Sequence, residues 1–360
     1  MGLSGENRAR KLEHIDVVLN KHVEGPGTTW FEYVFLLHHA ASEVSLSDVD
    51  VRTHFLGREL RAPLLISAMT GGAPGTEEIN LKLAEVAEKF GIGLGLGSQR
   101  AAVEDSRLEY TYRVVREYAR SVPVIGNIGA YEFIKYDLRT IEKLVSMVEA
   151  DALAVHLNLA QEIVQPEGTP NFSNLVRKAE LIVRELSIPL VVKEVGQGLS
   201  YEVVKDLSNI GVRIFDVAGA GGTNWVVVEK HRAQRRGDKL KELIAGNLID
   251  WGIPTAASII EARRAAPHST VIGSGGIRTS IDAVKALRIG ADLVGIAAPV
   301  LRSYFGGCLD EYIGAFIHGI KAVIALTGSR SLEELRSRPV VITSMLREWL
   351  MSRGFDGRAE

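Results

Sequence analysis

Eight short apolar runs alternate with amphipathic segments along this chain, and that alternation constrains its fold more than any other feature. The runs are Pro63–Ser67, Ile92–Leu96, Val122–Asn127, Ala152–His156, Pro189–Lys193, Val212–Val217, Thr270–Ser274 and Asp292–Ile296. Between them, Glu77–Phe90 repeats apolar residues at Ile79, Leu83, Val86, Ala87 and Phe90. Leu138–Val148, Asn174–Leu186, Tyr201–Leu207, Ile259–Ala265 and Ile281–Leu287 behave alike. Continuous apolar strands between helices imply a parallel sheet covered on its outer face. Eight such units point to an α/β fold, a closed (β/α)8 TIM barrel. An open doubly wound sheet usually carries its glycine fingerprint after the first strand. Here the most phosphate-like loop, Gly275-Gly276-Ile-Arg278, follows the seventh.

One domain is expected over residues 1–360. Residues 1–60 form an N-terminal extension (a cap, an arm or the barrel floor), 61–300 the barrel and 301–360 the C-terminal helices. Within the last part, Leu332–Trp349 reads as one or two packing helices. Val226–Trp251 is longer than an ordinary connection, and its charged portion Lys230–Arg236 reads as a solvated helix, a loop or a lid.

Composition narrows the classes. With 46% hydrophobic and 24% charged residues the chain has ample core. A net charge of −2 favours neither nucleic acid nor an anionic membrane, so any anion site must be local. One cysteine, Cys308, excludes an internal disulfide framework and reads as a packed thiol. The start lacks a signal-peptide core, and Met1-Gly2 matches a lipidation site only weakly. A cytoplasmic soluble protein is expected.

Barrel enzymes place their chemistry at the C-terminal strand ends. Those ends carry Ser67-Ala-Met-Thr-Gly-Gly72, Gly97-Ser-Gln-Arg100, Asn127, His156 with Asn158, Lys193, Gly219-Ala-Gly-Gly-Thr223, Gly273–Arg278 and Ala297-Ala-Pro299. His156 and Asn158 share a strand face, with Gln161 and Glu162 just beyond. Imidazole and amide N–H groups suit an anion, and a carboxylate beside an anion suits a divalent cation. The Gly275-Gly276 turn before a helix starting near Thr279 suits a phosphate, helped by the helix dipole and Arg278. Ser98 and Arg100 share a face if the second strand extends that far, and the arginine fork suits a phosphoryl group. Lys193 ends an apolar strand; it either stabilises an anionic flavin edge, forms a Schiff base or snorkels to solvent. The basic cluster from Arg8 to His14, with Arg10 and Lys11, is either a solvated helix start or an arm closing over a diphosphate. The alternating Gly91, Gly93, Gly95 and Gly97 either thin the barrel wall for a flat ring or let a helix pack closely.

Taken together, these motifs resemble those of the type 2 isopentenyl-diphosphate isomerases, flavin enzymes of the FMN-dependent barrel group. The resemblance rests on Met69-Thr-Gly-Gly72, Gly97-Ser-Gln-Arg100, Gly126-Asn-Ile-Gly129, His156–Glu162, Lys193-Glu-Val-Gly196, Gly219–Trp225 and Ser274–Arg278. It implies FMN across the barrel mouth, touching Ala68, Met69, Thr70, Ser98, Asn127, Lys193 and Thr223. Its phosphate would lie on Gly275, Gly276, Arg278, Ala297 and Ala298. The substrate diphosphate would meet Arg10, Lys11, Ser98, Arg100, His156, Asn158 and Gln161, with Mg²⁺ held by Glu162. Trp225 and Glu229 would flank the hydrocarbon or flavin side. A homotetramer or homo-octamer is implied.

Moving a double bond from C3–C4 to C2–C3 requires one proton delivered and one removed, with no net electrons. The sequence offers no evident side-chain acid–base pair for this, so reduced FMN is the expected acid and base, with Gln161 and Lys193 assisting and NADPH as reductant. The rival is an FMN-dependent barrel oxidoreductase of the hydroxy-acid oxidase kind, which needs a histidine near the seventh strand end. His268 precedes that strand. A nucleotide reductase would need a cysteine nucleophile, and Cys308 is poorly placed.

Overall fold

The computed structural model describes residues 3–356, with side chains from Arg10 onward; Met1, Gly2 and the side chain of Arg8 lie outside the described residues. Eight strands close into a barrel: β1 (Leu64–Ile66), β2 (Gly93–Gly95), β3 (Val124–Gly129), β4 (Ala152–Leu157), β5 (Leu190–Glu194), β6 (Ile214–Asp216), β7 (Thr270–Ser274) and β8 (Leu293–Ile296). Every neighbouring pair is parallel, and β8 pairs with β1 to complete the ring. Alternate residues of each strand therefore point inward, and the others pack beneath the surrounding helices.

The lower interior is apolar. Leu65, Ile125, Ala152, Ala154, Val191, Ile214, Ile272 and Leu293 form one buried cluster. Phe55 and Leu60 join it from a hairpin of Thr53–Phe55 and Arg58–Leu60, which plugs the end where the strands begin. The first sixty residues thus serve both ends of the barrel. Helix α1 (Leu3–Asn20) lies over the opposite mouth, where Arg10, Lys11, His14, Ile15 and Val18 face the strand ends.

Three other helices position the mouth. Leu159–Val164 is a short helix, α2, opening directly from β4. Trp225–Arg236 (α3) and Lys239–Leu248 (α4) occupy the long stretch after β6, with Gly237 at φ 71° ending α3. The charged portion Lys230–Arg236 is not simply a solvated face, because Arg232 is fully buried. The tail also departs from helices alone. Between helices Leu332–Ser337 and Ser344–Ser352, Val340–Ile342 pairs antiparallel with Val34–Leu36. Pro339 stops the first helix, and the β-branched Val340-Val-Ile342 suits a strand. Cys308 is exposed rather than packed. Among the described residues no helix is long and apolar enough to cross a membrane.

Two glycines of the run stand directly against the β1 side of the wall. A Cβ at Gly93 would stand 2.8 Å from Leu65 Cδ1, and one at Gly97 only 2.4 Å from Thr70 O. These glycines let β1 and the loop after it lie directly against the β2 segment. We therefore expect Gly97→Ala to lower stability by about 1–3 kcal/mol through forced displacement of the Thr70 loop. A urea unfolding midpoint equal to that of the parent would contradict this.

Candidate active site

The strand ends and α1 enclose one cavity, lined by the residues named above for cofactor, substrate or metal and by Trp225, whereas Glu229 is buried behind its wall. Ala68, Met69 and Thr70 come from the loop after β1, Ser98 and Arg100 from the segment after β2, and Asn127 from β3. His156, Asn158, Gln161 and Glu162 come from β4 and α2, Lys193 from β5, and Thr223 from the loop after β6. Gly275, Gly276 and Arg278 follow β7, and Ala297 and Ala298 follow β8.

His156 is fixed by its neighbours. Asn127 Nδ2 donates to Leu96 O at 2.8 Å, so Asn127 Oδ1 faces His156 Nδ1 at 2.7 Å and must accept its proton. Nε2 is then the unprotonated nitrogen. Burial, then Lys193, Lys11 and Arg10, push the imidazole down to about 3. The ring is therefore neutral, and an anion at Nε2 would first have to draw a proton onto it. This differs from a ready-made N–H donor.

Beyond β4 the polar groups form a chain. Asn158 Nδ2 donates to Glu162 Oε1 at 2.9 Å and to Gln161 Oε1 at 3.3 Å. Glu162 Oε2 accepts from Thr169 N at 2.7 Å. Gln161 Nε2 donates to Glu229 Oε1 at 3.1 Å. Glu229, on α3, is fully buried; it also meets His14 Nε2 at 2.8 Å and Arg232 Nη1 at 2.5 Å. Burial would raise its carboxyl, but His14 and Arg232 outweigh that and hold it down to about 2. Arg232 reaches on to Glu13 and Glu167, each at 2.8 Å. This cluster ties α1, α2 and α3 together over the cavity. Among the described residues, no group of three His, Cys, Asp or Glu side chains is arranged to hold a metal ion. Glu162 would therefore hold one without a ready-made cage of such side chains, as Mg²⁺ commonly binds through one or two carboxylates with water and ligand oxygens.

Cations line the α1 side. Lys11 Nζ lies 3.4 Å from Ser98 O, and burial, then Arg10 and Arg100, lower it to about 7. β2 ends at Gly95, so Ser98 and Arg100 do not share a strand face; Arg100 opens a short helix, Arg100–Glu104. Its guanidinium bonds Glu104 and Glu132, each at 2.6 Å. Lys193 does not snorkel. It is buried, donates to Glu194 O and lies 3.5 Å from Asp216 Oδ2.

The turn after β7 is glycine by necessity. Gly275 has φ 95° and Gly276 φ 75°; a Cβ on either would come within 2.3 Å of Gly219 O or Thr29 Cγ2. The following helix is Ser280–Arg288. Asp282 caps it, accepting from the N–H groups of Arg278 and Thr279 in a capping box with Thr279. Arg278 itself bonds Glu24 at 3.1 Å. Several buried atoms in the cavity have no partner among the described residues: Ser67 Oγ, Thr70 Oγ1 and Arg10 Nε.

Glu13, Glu24, Glu132, Gln165 and Asp216 were not singled out by sequence. For Asp216 a signal existed: a carboxylate inside apolar Ile214-Phe-Asp-Val217 is as anomalous as Lys193. Glu132 and Glu24 gave none, since their relevance comes from folding. We expect Glu229→Gln to cost about 3–5 kcal/mol, because Arg232 loses its buried partner. The carboxylate's contribution is fully present above its usual value of 4.5 and is lost as pH falls from there through about 2. The variant's melting temperature should therefore fall less steeply across that acid range; parallel profiles would refute the assignment.

The FMN-dependent dehydrogenase family matches residues 142–342. Solved structures of mandelate oxidase share the fold, one with TM-score 0.63, 15% identity, and coverage of 94% of this chain and 99% of that one. Isopentenyl-diphosphate delta-isomerase of Ignicoccus hospitalis is 44% identical over 97% of both chains. That of Sulfurisphaera tokodaii is 44% identical over 96% of this chain and 95% of its own. The Methanothermobacter thermautotrophicus protein of the same name is 45% identical over 96% and 97%. With this identity running through nearly the whole length, and the FMN-dependent dehydrogenase model matching more than half of the chain, the chain belongs to the isopentenyl-diphosphate delta-isomerases within the FMN-dependent barrel family.

Proposed function

We propose that this protein interconverts isopentenyl diphosphate and dimethylallyl diphosphate, with FMN in the barrel mouth. The observation that carries the reading is one cavity joining a glycine cradle, a buried lysine and the His156–Glu162 polar chain to the cations of α1. The residues present fit the cofactor. Ser67 Oγ and Thr70 Oγ1 are buried donors awaiting an acceptor. Gly275 and Gly276 leave backbone where any side chain would collide.

FMN, once reduced, supplies a ring nitrogen that can give and take a proton without net electron transfer. The remaining work falls to the chain. Lys193, which lines the cavity, would offer its ammonium to the cofactor. Arg10, Lys11 and Arg100 balance the diphosphate, and Glu162 contributes one ligand to Mg²⁺. Asn158 steadies that carboxylate. Glu229 fixes the orientation of the Gln161 amide by accepting from its nitrogen, so its oxygen faces Asn158. Helix α1 covers part of the mouth, and water kept out there would strengthen each of these interactions. The same reading makes NADPH the reductant and the protein a cytoplasmic homotetramer or homo-octamer. A hydroxy-acid oxidase gains no support from the site: Gly273–Arg278 holds no histidine, and His268 is exposed at the other end of β7.

An anaerobic assay tests the proposal. Purified protein with FMN, NADPH, Mg²⁺ and isopentenyl diphosphate should yield dimethylallyl diphosphate by NMR, and nothing while the flavin stays oxidised. Equal rates in both redox states would exclude the acid–base role. Glu162→Gln should raise the Mg²⁺ requirement about tenfold or more; an unchanged requirement removes Glu162 from the metal. Lys11 gives an independent check. At pH 8 it is largely neutral without ligand, and an adjacent anion raises it, so binding should draw in a proton. Calorimetry in buffers of different ionisation heat should show more proton uptake with inorganic diphosphate for the wild type than for Lys11→Arg. Equal uptake would place Lys11 away from the anion.

A further inference from the structure

Lys193 has a partner whose role the reading above leaves unused. Asp216 on β6 is its register partner on β5, so the two side chains point to the same side of the barrel wall. The Asp216 side chain is 2% exposed. Its Oδ2 lies 3.5 Å from Lys193 Nζ, and its Oδ1 accepts a hydrogen bond from Ser274 Oγ on β7. The other groups facing the ammonium do not balance it. His156, the register partner on β4, is neutral. Glu194, next in the chain, turns its carboxylate onto the N–H groups of Val195, Gly196 and Gln197 and offers Lys193 only its carbonyl.

We propose that Asp216 is a tuning residue: anchored by Ser274, its carboxylate offsets part of the Lys193 charge felt at the flavin edge and keeps the bound flavin's potential below the value the lysine alone would set. The inference rests on the reading that places FMN beside Lys193. An isolated buried cation would strongly stabilise an electron-rich ring. A cation and an anion 3.5 Å apart act as a dipole, whose field falls off faster with distance. A reaction that moves protons but no net electrons does not need a strongly stabilised anion, since the ring must remain basic enough to recover its proton. A partly compensated lysine meets that requirement. Asp216 acts through Lys193 and is a positioning residue for its charge, not a catalytic one.

The test is the midpoint potential of FMN in reconstituted holoenzyme, measured spectroelectrochemically under argon. Asp216→Asn keeps the shape and removes the charge. It should raise the potential by the equivalent of about tenfold in the reduction equilibrium, ~30 mV for a two-electron couple. Ser274→Ala keeps the carboxylate but removes the hydrogen bond that spreads its charge, and should lower the potential. A purely structural pair would not give these opposite signs. A potential for Asp216→Asn equal to or below the wild type overturns the proposal. Should that variant not fold, an unchanged or raised potential in Ser274→Ala overturns it instead. Lys193→Met separates the two levels of inference: it should lower the potential, and an unchanged value would refute the placement of FMN beside Lys193 rather than the role of Asp216.

Discussion

A charge taken out of water must find a partner, and the mouth of this barrel is organised by that constraint. Arg232 and Glu229 are both fully buried and meet each other directly. Around that pair, His14 from α1, Gln161 from α2 and Glu13 and Glu167 on the rim supply the remaining hydrogen bonds. The same pair therefore seats the N-terminal helix and orients an amide in the cavity. On the far wall, Lys193 and Asp216 repeat the arrangement one strand apart. Arg100 does so with Glu104 and Glu132. The cations that remain less well compensated, Arg10 and Lys11, are those on α1, and they make the mouth receptive to an anion.

The barrel can carry so many polar groups at one end because the other end is dry. Phe55 and Leu60 seal the strand starts against Leu65, Ile125 and Leu293. Packing of this kind supplies the stability that a polar mouth would otherwise erode. Backbone proximity does the rest. Glycines at 93 and 97 bring the β1 loop against β2, and those at 275 and 276 bring the β7 turn against Gly219 and Thr29. The cavity walls are thus partly main chain, and a ligand there meets amides whose positions the sheet has already set.

Much of this was legible beforehand. The eight strands lie where continuous apolar runs predicted them, because a strand buried on both faces cannot alternate. At least one residue from each quoted strand end lines the same cavity, because a closed parallel barrel has only one C-terminal rim. The misreadings share a cause as well. Lys230–Arg236 looked solvated because charge in a sequence carries no sign of burial, and only the pairing of Arg232 with Glu229 makes burial tolerable. Val340–Ile342 passed for part of a helix because three residues are too few to show a period. A shared face for Ser98 and Arg100 required the second strand to reach that far, and it stops five residues before Arg100, at Gly95.

The sequence by itself determined the barrel, the rim and the chemical types gathered there, since strand periodicity and chain order are local properties that closure merely multiplies. Tertiary structure alone decided which of those groups carry charge and where their hydrogens point. The neutral His156, the depressed Lys11 and the lysine opposed by Asp216 each depend on a neighbour from another strand or helix. Proton affinity and field depend on distances of a few ångströms, and those distances arise only when segments far apart in the chain are brought together.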